Sequence, residues 1–215
     1  MKMNMRYSIL LCVTIFGCTS TDPEDVPWEA VRDSLEYVQI DSTLSVVTWI
    51  TSDPSRTYDG TIAIKTGRIG LMEDSLVLAE IRLDMNAITV ATQSDDENRD
   101  FLQKMGTESF LHLSAFPESF LTLRTPEAVS LTPGNLPDSI TLSGEILLKG
   151  TSRTATLPAS IVSDGNEVTI RGELSALRTD WNLLFPDESP SELDSGSALL
   201  ELGFYVVVPL KNMSN

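Results

Sequence analysis

The chain has 215 residues, carries 31 Asp and Glu against 15 Lys and Arg for a formal net charge of −16, and contains one histidine and two cysteines. So acidic a surface repels nucleic acid and anionic headgroups, which reward clustered Lys and Arg, and no nucleic-acid partner is expected. Two cysteines, Cys12 and Cys18, give no disulfide framework, and the length suffices for one core held by packing alone.

Lys2 and Arg6 precede an apolar run from Tyr7 to Phe16, well short of the ~20 residues a membrane-spanning helix needs. Residues 1–17 therefore read as a signal peptide. Ile15-Phe16-Gly17-Cys18 resembles a bacterial lipobox, although Phe16 is bulkier than the residue usual there. That resemblance implies cleavage before Cys18, lipid attachment at its sulfur, and membrane contact only through this modified N-terminus. Several acyl chains hold a membrane stably where one is marginal. Thr19 to Pro27 is polar, acidic and proline-bearing, and residues 18–35 are expected to form a tether. The expected location is the cell envelope, on an outer membrane facing the periplasm or the cell surface. A single domain is expected over residues 36–210.

That domain reads as short strands. Leu44, Val46, Thr48 and Ile50 alternate with Ser45, Val47, Trp49 and Thr51, and the first set is taken as inward. If a bulge intervenes, Trp49 and Tyr205 turn in instead. After an Asp53-Pro54-Ser55 turn come Tyr58 to Lys65, Arg68 to Met72, and Ser75 to Met85 beyond Glu73-Asp74. One helix is predicted, from Asp95 to about Met105: Ser94 to Glu97 fits a capping box and Gly106 supplies a stop. Phe101, Leu102 and Met105 share a side suited to closing one end of a barrel or plugging its core. Phe120 to Arg124 adds a strand.

Residues 140–161 carry the clearest local signal. Ile140, Leu142, Ile146 and Leu148 fall on one face of a first run, Gly144 marks a bend or a close backbone approach, and Gly150 to Arg153 joins a second run that breaks at Pro158. Val168, Ile170 and Leu174 follow an Asp164-Gly165-Asn166 turn. In the last strand, Ala198 to Pro209, Leu200, Leu202, Phe204, Val206 and Val208 share a face. About eight strands so spaced predict an all-β closed barrel or sandwich.

The wording Gly144-x-x-Leu147-x-Lys149-Gly150-Thr151-x-Arg153 resembles the mid-chain hairpin of the YceI-like family. Tyr37 to Trp49 resembles its opening strands, Tyr58 to Ile62 its second hairpin, and Ile81 to Ile88 the stretch before its helix. Phe110 to Pro117 is similar to its aromatic segment, and Arg178-Thr179-Asp180-Trp181 to its Arg-x-x-aromatic element. The resemblance implies an antiparallel, eight-stranded, lipocalin-like barrel that holds isoprenoid-type lipids in the cell envelope, and a homodimer. Histidines that many relatives carry are replaced here by Tyr58 and Lys104, and His112 stands where an acidic residue is usual, so no histidine role carries over.

Catalysis has little to work with. The one histidine sits among Phe110, Leu111 and Leu113, no G-x-S-x-G element occurs, and Asp95-Asp96 and Asp187-Glu188 lie in polar, turn-like settings. No metal, cofactor or enzyme activity is expected. The expected function is envelope-anchored binding of an isoprenoid or other long-chain amphiphile, for carriage or sequestration. The interior candidates are Leu44, Val46, Leu142, Ile146, Leu148, Val168, Ile170, Leu202, Phe204 and Val206, with Lys149, Arg153 and Arg178 as candidate polar rim. The alternative is a structural or interaction module whose barrel is packed solid.

Overall fold

A computed structural model of the chain describes residues 28–52, 56–91, 94–186, 188–189 and 198–210. The signal peptide, Cys18, the acidic run to Pro27 and the Asp53-Pro54-Ser55 turn lie outside the described residues. The chain divides into two units, Met1–Asp33 and Ser34–Asn215. The first contributes most of helix α1 (Trp28–Ser34), which buries no residue and places Glu29 in its first turn and Arg32 in its last, as the helix dipole favours. The helix lies within residues 18–35, the segment expected as a tether.

The second unit is a closed antiparallel barrel of eight strands with one extra strand. Its strands are β1 (Glu36–Gln39), β2 (Val46–Ser52), β3 (Thr57–Met72), β4 (Ser75–Asp84), β5 (Glu118–Ser130), β6 (Ile140–Leu148), β7 (Thr151–Ser163), β8 (Glu167–Leu177) and β9 (Leu199–Pro209). Neighbours run β3-β2-β9-β8-β7-β6-β5-β4, and β3 pairs again with β4 to complete the ring. The added strand β1 pairs with Arg68–Leu71 of β3, beyond the part that β2 occupies. Closure removes the sheet edges that would otherwise invite aggregation.

β3 is one strand where the sequence suggests two. A register shift between Ile64 and Thr66 forms a bulge, and the buried set passes from Tyr58, Gly60, Ile62 and Ile64 to Gly67, Ile69 and Leu71. The alternation changes phase there, which in sequence looks like a break.

The face of β2 is the reverse of the one expected from polarity. Val47, Trp49 and Thr51 are buried, and Val46, Thr48 and Ile50 face outward. Register with β9 decides this, because Val47 stands opposite Phe204 and Trp49 opposite Leu202, and directly opposed residues share a face. No bulge in β2 brings Trp49 in, and Tyr205 stays on the outer face opposite Val46. Leu44, in the turn before β2 and 56% exposed, and half-buried Val46 are therefore not interior residues.

The hairpin from Ile140 buries Ile140, Leu142, Ile146 and Leu148 as expected. Its connection is shorter than expected: Lys149 and Gly150, with φ of 49° and 70°, form a two-residue turn whose twist suits a hairpin, and Thr151 already pairs with Leu148. Gly144 is a close approach, since a Cβ there would lie 2.0 Å from the Thr122 carbonyl oxygen of β5. β7 does not stop at Pro158. It continues to Ser163, with Pro158 opposite Thr141 and just beyond the last β7–β8 pair.

Candidate ligand site

One end of the barrel is closed by side chains from distant segments. Helix α2 (Asp95–Met105) starts at Ser94, whose backbone N–H and hydroxyl both donate to the Glu97 carboxylate, at 3.3 and 2.8 Å. These bonds, the hydroxyl's first and then Arg56, hold the Glu97 carboxyl below its ordinary range. Three acidic residues occupy the first turn, and the Gly106 N–H closes the last by donating to the Leu102 carbonyl. Phe101 and Met105, four residues apart and so on one side, are buried.

Phe101 stacks on Tyr58 of β3 with ring centroids 3.6 Å apart and lies 6.3 Å from Trp49 of β2. Phe185 tilts against Phe101 at 5.4 Å and stacks on Phe110 at 4.6 Å. Five rings from five parts of the chain thus form a plug, fixed at one edge by the Trp49 indole N–H donating to the Thr89 carbonyl at 3.1 Å.

Beside the plug lies an internal cavity of about 40 Å³, walled by Trp49, Met105, Phe110, Ile146, Leu148, Leu183 and Leu202 among others. Thr51 and Ser119 are the two polar residues on its wall. Thr51 Oγ1 donates to the Leu199 carbonyl at 2.9 Å and Ser119 Oγ to the Leu147 carbonyl at 2.6 Å. Both hydroxyl protons are thereby directed at backbone rather than at the space.

Of the interior candidates, Ile146, Leu148 and Leu202 meet on this wall. Leu142, Val168, Ile170, Phe204 and Val206 are buried elsewhere in the core. Sequence reasoning missed Ile62, Leu83 and Leu121 on strands β3, β4 and β5, and Phe110, Leu111 and Leu183, which come from irregular segments with no periodicity to read. Met105 was visible through its helical partner Phe101.

The three candidate rim cations do not converge. Arg178 is wholly buried at the start of a 3-10 turn (Arg178–Trp181) and makes a paired contact with Glu188, each bond 2.6 Å. It also donates to the carbonyls of Leu183 at 3.0 Å and Ser52 at 3.3 Å, and its guanidinium lies 4.8 Å from the Phe185 ring centre. Lys149 Nζ donates to the Ser109 and Asn182 carbonyls at 2.9 and 2.8 Å. Burial pushes its pKa below that of an ordinary lysine, against the pull of Glu108. Arg153 is exposed and donates to the neighbouring Ser152 carbonyl. Arg178 and Lys149 therefore act as ties between loops.

His112 occupies a turn at φ 50° with its ring edge-on to Phe116. Among the described residues no three His, Cys, Asp or Glu side chains gather to hold a metal, and no described helix is long and apolar enough to cross a membrane.

The model of the YceI-like domain matches residues 38–199. The fold is similar to that of Burkholderia cenocepacia BcnA, at 14% identity and a TM-score of 0.58 over 78% of this chain and 98% of that one. It is similar also to a polyisoprenoid binding domain from Saccharophagus degradans implicated in plant cell wall breakdown, at 15% identity and a TM-score of 0.53 over 81% and 98%. At such identities the likeness speaks to fold. No curated protein matches the chain.

Proposed function

The chain belongs to the YceI-like family, and we propose that its barrel binds an isoprenoid or similar long-chain amphiphile, carrying or sequestering it without chemical change. The observation that carries this reading is the cavity wall. It is apolar but for two hydroxyls whose protons already go to backbone carbonyls, so it offers a polar substrate nothing and an apolar chain everything. The fold shared with a polyisoprenoid binding domain supports the same ligand class. Each CH₂ removed from water contributes roughly 0.8 kcal/mol, so a five-carbon unit brings on the order of 3 to 4 kcal/mol before ordering costs. Specificity would then come from the length and shape of the space.

A cavity of about 40 Å³ holds no more than a few waters and is far below the ~300 Å³ or more of ordinary ligand sites. Binding a chain therefore requires side chains of the plug to move aside. The test is gentle purification of the full chain from its native envelope, extraction into organic solvent and mass spectrometry. One long apolar molecule per protein is expected, and repeatedly empty extracts contradict the reading.

The small cavity also favours a second reading, a packed barrel that serves as a structural or interaction module. In that case added apolar ligand gives no protection against heat at any concentration.

We further propose that Cys18 carries the anchor and that the barrel works in the envelope, at an outer membrane. Cys18→Ala is expected to abolish incorporation of labelled fatty acid and to release the protein from membranes. Unchanged labelling contradicts this.

A further inference from the structure

The barrel wall is not equally closed all round. β8 and β9 pair along their full length, from Glu167↔Pro209 to Leu177↔Leu199, but β7 pairs with β8 only from Ser163↔Val168 to Ala159↔Gly172. Past that fork, Thr151–Pro158 and Glu173–Leu177 diverge. The 3-10 turn Arg178–Trp181 contacts both strands, and the chain then runs on to Phe185 in the aromatic plug. Trp181 reaches across to donate its indole N–H to the Ile146 carbonyl at 3.4 Å, and Leu183, 1% exposed, forms part of the cavity wall. One side of the cavity is thus a strap of loop rather than a hydrogen-bonded strand.

Polar ties hold the strap to its neighbours, the Leu184 N–H to the Ser109 carbonyl, Lys149 to the Asn182 carbonyl and Arg178 to the Ser52 carbonyl, while Glu188 clasps its two ends by accepting from Arg178 and from the Phe185 N–H. At the crotch of the fork the outer surface carries a groove of about 560 Å³ between Pro158 and Ser160 of β7, Arg171 and Glu173 of β8, and Gly203 and Tyr205 of β9. Gly203 leaves its floor without a side chain. The Arg171 guanidinium lies 5.0 Å from the Tyr205 ring centre, and this is its one contact of charge among the described residues.

We propose that the amphiphile enters sideways through this fork, its head received in the outer groove while the 178–186 strap swings out to admit the tail. The proposal rests on the lipid-binding reading and adds a landing site and a gate to it. Arg171 and Glu173, two residues apart on one face, offer a donor and an acceptor together, which suits an uncharged or zwitterionic head over a diphosphate. Outward movement of the strap withdraws Phe185 from the plug and leaves the Tyr58–Phe101 stack and α2 seated. Opening through α2 instead would break that stack.

The experiment uses the full chain, a dansyl-labelled fifteen-carbon isoprenoid alcohol as probe, stopped-flow loading, and amide hydrogen exchange without probe. Glu188→Gln is expected to load about tenfold faster with little change in final affinity, and Ser160→Trp, an exposed change that fills the groove, about tenfold slower, as gating predicts. Without probe, the Leu183 and Leu184 amides should exchange faster than those of the β8–β9 ladder, and faster again in Glu188→Gln. Loading unchanged in both variants overturns the gate while leaving lipid binding standing. Failure of the unaltered protein to take up probe contradicts lipid binding itself. Strap amides as protected as the β8–β9 ladder in both proteins overturn the gate whether or not probe binds.

Discussion

The two ends of the barrel are built on different principles. At the far end, Ile69, Leu71, Leu76, Val168 and Val208 come from paired strands, are at most 1% exposed, and fill the space with aliphatic side chains. At the capped end the filling comes from a helix, two loops and strand ends, as five aromatic rings and a small cavity, and polar ties hold the loops in place. Strand-borne packing is cooperative with the sheet and has no part that moves alone. Loop-borne packing separates at the cost of a few contacts, so the capped end is where the proposed ligand would find room.

Four changes sharpen or break that contrast, from the largest expected effect to the smallest. Arg178→Ala leaves the Glu188 carboxylate buried without its partner and should cost about 4 kcal/mol in urea unfolding. An Arg178→Met, Glu188→Met double variant should recover part of that loss. Leu76→Ala at the far end should cost about 3 kcal/mol while leaving ligand affinity unchanged, and a marked change in affinity would break the contrast between the ends. Leu148→Phe on the cavity wall should cost only about 1 kcal/mol, because the added volume goes into existing space, yet should abolish ligand binding.

The fourth change is read by pH. Lys149 has its pKa lowered by burial, so between that depressed value and 10.5 the unfolded chain binds more protons than the folded one. Stability therefore gains a rising contribution as pH climbs through this window. Lys149→Met should remove that rise in a pH series of thermal melts, and an identical slope in both proteins would show that the lysine tie does not sense burial.

What could be read from the sequence follows the range of the interaction that decides each feature. The α2 cap is local, with Ser94 and Glu97 three residues apart, and was legible at both ends of the helix. The inward face of β9 was legible because five apolar residues alternate without interruption. β2 was not, because Val and Ile on one face compete with Val and Trp on the other, and only pairing with Phe204 and Leu202 decides. The bulge in β3 hid one strand as two. The site was half legible: Ile146, Leu148 and Leu202 follow strand alternation, whereas Phe110 and Leu183 sit in loops whose place is set by long-range contacts. Arg178 and Lys149 looked like rim cations because nothing local reveals Glu188, Ser109 or Asn182 as partners.

The central claim is that the capped end accepts a long apolar chain. Native mass spectrometry of the full chain, titrated with a long-chain isoprenoid alcohol and compared with Leu148→Phe, tests it most directly. One ligand per unaltered protein and none on a folded Leu148→Phe variant is the predicted result. Equal binding to both proteins, or to neither, would contradict it.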